Sequence, residues 1–317
     1  MELCLNIFYL IFGSACLYFG ADFLVAGGVA IARKAGVSPL VIGLTLVAFA
    51  TSAPELVVSA SAALDGKSSI ALGNVVGSNI FNIGIILGLS ALINPIIVKK
   101  QSLKFDGPIM ILSAVLLAVF YLPDHNIERW QGAVLFAGIL FYTIWNVVAS
   151  RKENSENTES SEAANEKIMN IYKAIALTIL GFIGLIAGAK AFLAGAVFMA
   201  KLCNMPDAII GLTIVAAGTS LPELATSIVA AIKREDDIAL GNVIGSNIFN
   251  IFCILGITAI ISPLKNADLS ILDFEVMIVI SILLMIMMFT RRKISRIEGL
   301  ILIAIFTSYL SYLIATM

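Results

Sequence analysis

A 41-residue stretch that occurs twice constrains this chain more than any other feature. The first copy runs from Gly43 as GLTLVAFATSAPELVVSASAALDGKSSIALGNVVGSNIFNI, and the second runs from Gly211 as GLTIVAAGTSLPELATSIVAAIKREDDIALGNVIGSNIFNI. The two stay in register at an offset of 168, so Thr51 falls on Thr219, Ser52 on Ser220, Pro54 on Pro222 and Glu55 on Glu223. Further along, Asn74 falls on Asn242, Ser78 on Ser246 and Asn82 on Asn250. Roughly three in five positions are identical, which marks a duplicated structural unit. Each copy sets a carboxylate, hydroxyls, amides, glycines and a proline inside apolar sequence.

That apolar setting defines the fold class. The chain of 317 residues is 60% hydrophobic and 13% charged, with a mean hydropathy of +1.01. A water-soluble fold cannot hide so much apolar surface. The apolar runs are about 18–28 residues long, enough to cross a bilayer as helices, and the alternating pattern of membrane strands is absent. The expectation is an all-α integral membrane protein with ten transmembrane helices, at 3–31, 39–64, 70–94, 107–122, 129–149, 171–200, 206–232, 238–261, 273–290 and 296–315. The first run reads as a span rather than a signal peptide: it lacks a basic leader, exceeds an h-region in length and carries Asp22.

The one long polar stretch, at 150–170, divides the chain into halves of five spans, 1–149 and 171–317. A repeat that begins after an odd number of crossings enters the membrane from the other side. The two halves are therefore expected as inverted five-helix repeats. The basic residues agree with this. Lys67, Arg129, Lys201 and Lys265 fall on one side, Lys190 lies inside a span, and the other fifteen of the 20 Lys and Arg fall on the opposite side. The positive-inside rule then places both termini outside the cytoplasm, in a multi-pass protein of the cell (inner) membrane. The acids Glu153, Glu156, Glu159, Glu162 and Glu166 are read as a solvated connection, too short for a folded regulatory domain.

Composition also excludes function classes. A net charge of −1 suits no nucleic-acid partner. Cys4, Cys16, Cys203 and Cys253 have no Cys-x-x-Cys spacing and read as packing residues. The one histidine, His125, lies in a short polar connection, which leaves no histidine metal centre. No nucleophile–base pair or cofactor motif appears, so neither an enzyme nor a resident cofactor is expected. Nothing in the chain indicates a protein partner.

The repeated stretch carries the chemistry. Pro54 and Pro222 sit mid-span and should break helices 2 and 7, because proline lacks an N–H and clashes with the preceding turn. The break should free the carbonyls of Ala48, Ala50 and Thr51 in one copy, and of Ala216, Gly218 and Thr219 in the other. Carbonyls at the end of a half-helix attract cations. Glu55 and Glu223 follow at the start of the second half-helix. Inverted repeats would bring the two acids together at the midplane, where two like charges need protons or a cation to neutralise them. The donors on offer are all oxygen, which suits the hard cations Ca2+ and Na+ rather than zinc or copper. One Ca2+ or two monovalent ions would cancel the pair. Asn74, Ser78 and Asn82 share one helix face, as do Asn242, Ser246 and Asn250. Interhelical hydrogen bonding and ion ligation both fit those faces. Asp22 and Lys190 occupy matching places in spans one and six, and each is read as a paired or snorkelling charge near a span end.

The paired T-S-x-P-E and G-N-V-x-G-S-N-I-x-N segments resemble the two α-repeats of the sodium/calcium exchanger (Ca2+:cation antiporter) superfamily, with the prokaryotic ten-helix members as the nearest likeness. The resemblance implies Ca2+ ligation by Glu55, Glu223 and the carbonyls of Thr51 and Thr219. It implies Na+ ligation by Ser52, Ser220, Ser78, Ser246, Glu55, Glu223 and the carbonyls of Ala48 and Ala216, with Asn82 and Asn250 beside the centre. Spans one and six would slide as a gate. The chain departs from the pattern at Ala50, at Ala53 and at Asn250, where the potassium-dependent relatives carry Asp; the neutral amide implies no K+ co-transport. The expected function is Ca2+/Na+ antiport by alternating access. The alternatives are Ca2+/H+ exchange through the same glutamates and, in a different class, a passive cation channel.

Overall fold

The structure is a computed structural model that describes residues 2–158, 169–203, 216–265, 267 and 269–316. Its helices are α1 (Glu2–Ala35), α2 (Pro39–Thr51), α3 (Ala53–Leu64), α4 (Ser68–Ile93), α5 (Ser102–Tyr121), α6 (Arg129–Thr158) and α7 (Ile171–Leu202). They continue as α8 (Ala216–Thr219), α9 (Leu221–Ile232), α10 (Asp236–Ile261), α11 (Ile271–Arg291) and α12 (Arg296–Thr316). Among the described residues, 8 helices are long and apolar enough to cross a membrane, and 9 spans result when α2 and α3 count as one bent span. The chain is a multi-pass membrane protein. Of the expected span at 206–232, the first residues lie outside the described ones, and α8 and α9 are its described part. The same holds for the repeat's start at Gly211 and for the side chains of the acids at 153–166.

Burial ranks the helices. Apolar windows of α10 and α4 are 83% and 67% buried, against 17% for α1 and 11% for α12. The two G-N-V-x-G-S-N helices thus form the centre, and the outer helices turn Phe8, Ile11, Phe12, Phe19 and Leu300 outward, as lipid contact requires. Helices α1 and α7 pack antiparallel through glycines. A Cβ on Gly13 would lie 2.8 Å from the Gly188 carbonyl oxygen, and one on Gly20 would lie 2.9 Å from that of Gly181. Only hydrogen fits between backbones this close. Likewise Gly43 on α2 meets Gly241 on α10, with 3.3 Å from a Cβ on the former to the Cα of the latter.

Helix α5 begins before the expected limit of 107, with a wide π-helical turn over Ser102–Asp106. Polarity at Lys104 and Asp106 suggests a loop, but Asp106 is buried and accepts the Tyr142 hydroxyl at 3.1 Å. Two short pairings tie the connections of one half to those of the other: β1 (Ile96–Ile97) runs antiparallel to β2 (Lys293–Ile294), and Ile127 bridges Leu264.

Candidate cation site

The two glutamates owe their position to a local interruption. Helix α2 ends at Thr51, Ser52 leaves the helical conformation at φ −84°, ψ 6°, and α3 resumes at a bend of 47°. The second copy repeats this at Ser220, with φ −88° and ψ 10°. Pro54 and Pro222 lie in the first turn of α3 and α9, where a missing N–H costs nothing. Glu55 and Glu223 follow in that same first turn, where unpaired N–H groups favour a carboxylate. The interruption is narrower than expected. The Ala48 carbonyl is not freed: it accepts the Ser52 N–H at 3.0 Å and the Thr51 hydroxyl at 3.2 Å. The carbonyl that Pro54 deprives of its partner is that of Ala50, four residues back.

Each half then serves the carboxylate of the other. Ser52 Oγ donates to Glu223 Oε1 at 2.7 Å, and Ser220 Oγ donates to Glu55 Oε1 at 3.0 Å. Thr51 lies beside Glu223 and Thr219 beside Glu55. Ser220 Oγ is also 3.3 Å from Ser78 Oγ. Glu55 and Glu223 are each 1% exposed, and they are close enough to interact electrostatically. Among the described residues neither forms an ion pair with Lys, Arg or His.

The amides explain which oxygens remain open. Asn79 Nδ2 donates to the Asn247 carbonyl at 3.2 Å, so Asn79 Oδ1 is left to accept Asn250 Nδ2 at 2.9 Å. In the other half Asn247 Nδ2 faces the Met110 sulfur, and its Oδ1 accepts Asn82 Nδ2 at 3.0 Å. Each relay fixes the amide orientation, and the oxygens of Asn82 and Asn250 end without a donor. Five buried oxygens around the site therefore have no hydrogen-bond partner: Glu55 Oε2, Glu223 Oε2, Asn82 Oδ1, Asn250 Oδ1 and Ser246 Oγ. Buried polar atoms are almost always satisfied. Four of these are acceptors without a donor, two of them on carboxylates, and protons or a hard cation would complete them.

The four-residue spacing puts Asn74 on one face with Ser78 and Asn82, and Asn242 on one face with Ser246 and Asn250. The role of Asn74 and Asn242 here is bracing. Asn74 donates to Ser59 Oγ at 2.9 Å and to the Glu55 carbonyl, and Asn242 does the same to Ser227 Oγ at 2.9 Å and to the Glu223 carbonyl. Asn242 Oδ1, at 3.1 Å, shares the one Thr51 hydroxyl proton with the Ala48 carbonyl. Asn79 and Asn247 were missed, although both copies carry Asn one residue after the serine. We expect Asn79→Leu to release Asn250 and Asn247→Leu to release Asn82, and each to weaken cation binding at the site about tenfold or more, as loss of the group that orients a ligand typically does. Titration of the purified variants with candidate cations measures this.

A second omission lies outside the cluster. Asp106 with Tyr142 and Asp273 with Tyr309 are similar pairs, one residue off the repeat offset, each 36 residues apart and each joined by a tyrosine hydroxyl on a carboxylate oxygen. The common D-x35-Y spacing was the available signal. Asp22 is a paired charge, as expected, bonded to Lys233. Lys190 is exposed.

Buried carboxylates facing one another across broken membrane helices define a cation transporter. Comparison with known proteins makes this specific. A family model described as "Sodium/calcium exchanger protein" matches residues 5–148 and 173–315. The putative antiporter CaxA of Alkalimonas amylolytica is 39% identical over 307 residues, covering 95% of this chain and 96% of that protein. The sodium/calcium exchanger MaX1 of Methanosarcina acetivorans is 37% identical over 340 residues, covering 96% and 97%. Among solved structures, the sodium-calcium exchanger NCX_Mj soaked with zero Na+ and Ca2+ superposes with a TM-score of 0.85 at 34% identity, covering 98% of this chain and 99% of that one. The same exchanger soaked with 10 mM Na+ and 10 mM Sr2+ gives 0.84 at 34% identity, covering 98% of each chain. The chain belongs to the sodium/calcium exchanger family, and its class of activity is cation exchange antiport.

Proposed function

We propose that this protein exchanges Ca2+ for Na+ by alternating access at one midplane site. The observation that carries the reading is the set of four buried acceptor oxygens without a donor, on Glu55, Glu223, Asn82 and Asn250. Glu55 and Glu223 hold Ca2+, with the carbonyls of Thr51 and Thr219. Ser52, Ser220, Ser78, Ser246 and the Ala48 and Ala216 carbonyls complete Na+ positions, with Asn82 and Asn250 at the rim. One Ca2+ or two Na+ balance the two carboxylates, so each ion displaces the other. The Ala48 carbonyl enters this set only by giving up or sharing the two bonds it accepts here.

The reading includes ten spans in two inverted halves, 1–149 and 171–317, joined by a cytoplasmic connection at 150–170, with both termini outside. Support comes from the reciprocal hydrogen bonds. Ser52 to Glu223 and Ser220 to Glu55 are one contact seen from either half, as are Asn82 to Asn247 and Asn250 to Asn79. A two-fold relation between halves produces such pairs. A channel fits less well, because the two carboxylates are buried rather than lining an open path.

The test is 45Ca2+ uptake into proteoliposomes carrying an outward Na+ gradient, an outward H+ gradient or none. Uptake driven by Na+ and indifferent to internal K+ is expected. Uptake driven by H+ alone would assign the counter-ion to protons on the same glutamates, and gradient-independent flux would indicate a channel.

A further inference from the structure

We infer that Asp22, Lys233, Lys190 and Asp65 are positioning residues that set which membrane face the exchange site opens to, as two ion-pair latches closing in alternation. The inference rests on the exchange reading above. Lys233, just past the end of α9, pairs with Asp22 on α1, with side chains 34% and 29% exposed. Moved by the repeat offset, Asp22 becomes Lys190 on α7 and Lys233 becomes Asp65 at the end of α3. Both signs invert together. An attractive pair in one half thus corresponds to an attractive pair in the other, with donor and acceptor exchanged.

Only one of the two pairs is made. Asp65 is bound instead by Lys67 from its own turn at 3.8 Å, both well exposed. Lys190 is exposed and has no ion pair among the described residues. The helices follow the same asymmetry: α1 packs along α9, whereas α7 has no matching run of contact with α3. Two halves with one design therefore occupy inequivalent arrangements. Exchanging their roles generates the opposite state, in which α7 lies along α3, Lys190 reaches Asp65, and Lys233 releases Asp22.

Helices α1 and α7 are built to make that exchange as one body. Gly13, Gly20 and Gly27 on α1 are matched at the repeat offset by Gly181, Gly188 and Gly195 on α7. These glycines hold the two backbones in direct contact, with Gly188 facing Leu17 at 2.8 Å and Gly195 facing the Asn6 carbonyl at 2.8 Å from a built Cβ. Because α1 and α7 are antiparallel, the two latches sit toward opposite ends of the pair. A shift that closes one draws the other apart. The lysine-rich side holds Lys233 and the opposite side holds Asp65, so the arrangement described is closed toward the basic, cytoplasmic face.

Apparent Ca2+ affinity, read from each face in right-side-out and inverted vesicles, tests the latches. A ligand's apparent affinity scales with the population of the state that presents its site. Asp22→Asn should raise apparent affinity at the cytoplasmic face and lower it at the outer face, each about two- to fivefold, as befits partly exposed ion pairs. Lys190→Met should do the reverse, and the swap Asp22→Lys with Lys233→Asp should restore the wild-type ratio. A general loss of packing moves both faces in one direction, so shifts of equal sign, or a swap that restores nothing, would overturn the proposal. If wild-type protein shows no counter-ion-driven flux, the exchange reading fails separately. The latches are then read by cross-linking in protein whose four native cysteines are alanine. Asp22→Cys with Lys233→Cys, and Lys190→Cys with Asp65→Cys, should each cross-link, and locking the first pair should protect the second from closure. Simultaneous closure of both would refute alternation.

Discussion

Glu55→Gln and Glu223→Gln should each reduce counter-ion-driven 45Ca2+ uptake by at least about two orders of magnitude, a barrier or affinity change of roughly 3 kcal/mol. Glutamine keeps the volume and the chain length. It removes one of the two charges that balance Ca2+, and it can turn an N–H toward the ion in place of an oxygen. Charge interactions at contact distance in a buried site are worth several kcal/mol even at an effective dielectric of about 20, so the loss is sufficient. The fold should survive. The carboxylates are 1% exposed with no cationic partner among the described residues, and replacing one relieves repulsion in the ion-free protein. Thermal unfolding in chelator should therefore be unchanged or shifted upward in both variants. Added Ca2+ should stabilise only the wild type, because a ligand stabilises the state that binds it. A variant that melted early in chelator would instead assign these residues to structure.

Gly245→Val is the second large effect, and it acts through packing. A Cβ at this position would lie 2.8 Å from the Leu44 Cα, from the Leu44 carbonyl oxygen and from the Ala48 Cβ. All three atoms are backbone or bonded directly to it, so α10 must move away from α2. The adjacent Ser246 and the Thr51–Asn242 hydrogen bond at 3.1 Å move with it. Overpacking of a buried helix contact costs about 1–3 kcal/mol or more, and here it also separates the elements that carry the site. Little folded protein should be recovered by size-exclusion chromatography, and what remains should not exchange. Val57→Ala, on an outward-facing position of α3 that is 64% exposed, serves as the control and should behave as wild type.

Much of this was legible in the sequence because the duplication supplied two copies of each constraint. The apolar runs gave the membrane class directly, and Pro54 and Pro222 marked the interrupted helices. Glu55 and Glu223 stood out as intramembrane acids beside those prolines. What escaped was decided by partners rather than by residue type. The narrow interruption at Ser52 leaves the Ala48 carbonyl bonded, and proline spacing alone does not say how many residues leave the helix. Asn74 and Asn79 look alike on paper, but one braces the half-helix of Glu55 and the other aims the amide of Asn250. The early start of α5 was hidden because Asp106 reads as a solvent-facing charge until Tyr142 is placed beside it. Asp22 and Lys190 stand at matching positions in the sequence, but nothing in the sequence brings Lys233, 211 residues further on, to Asp22.

Equilibrium binding of 45Ca2+ to purified protein, with and without Na+, bears most directly on the shared site. One Ca2+ per chain is expected, displaced by Na+ with a slope above one, and absent when Glu55→Gln and Glu223→Gln are combined. Ca2+ retained by the doubly substituted protein, or left in place by saturating Na+, would contradict a single site that both ions occupy in turn.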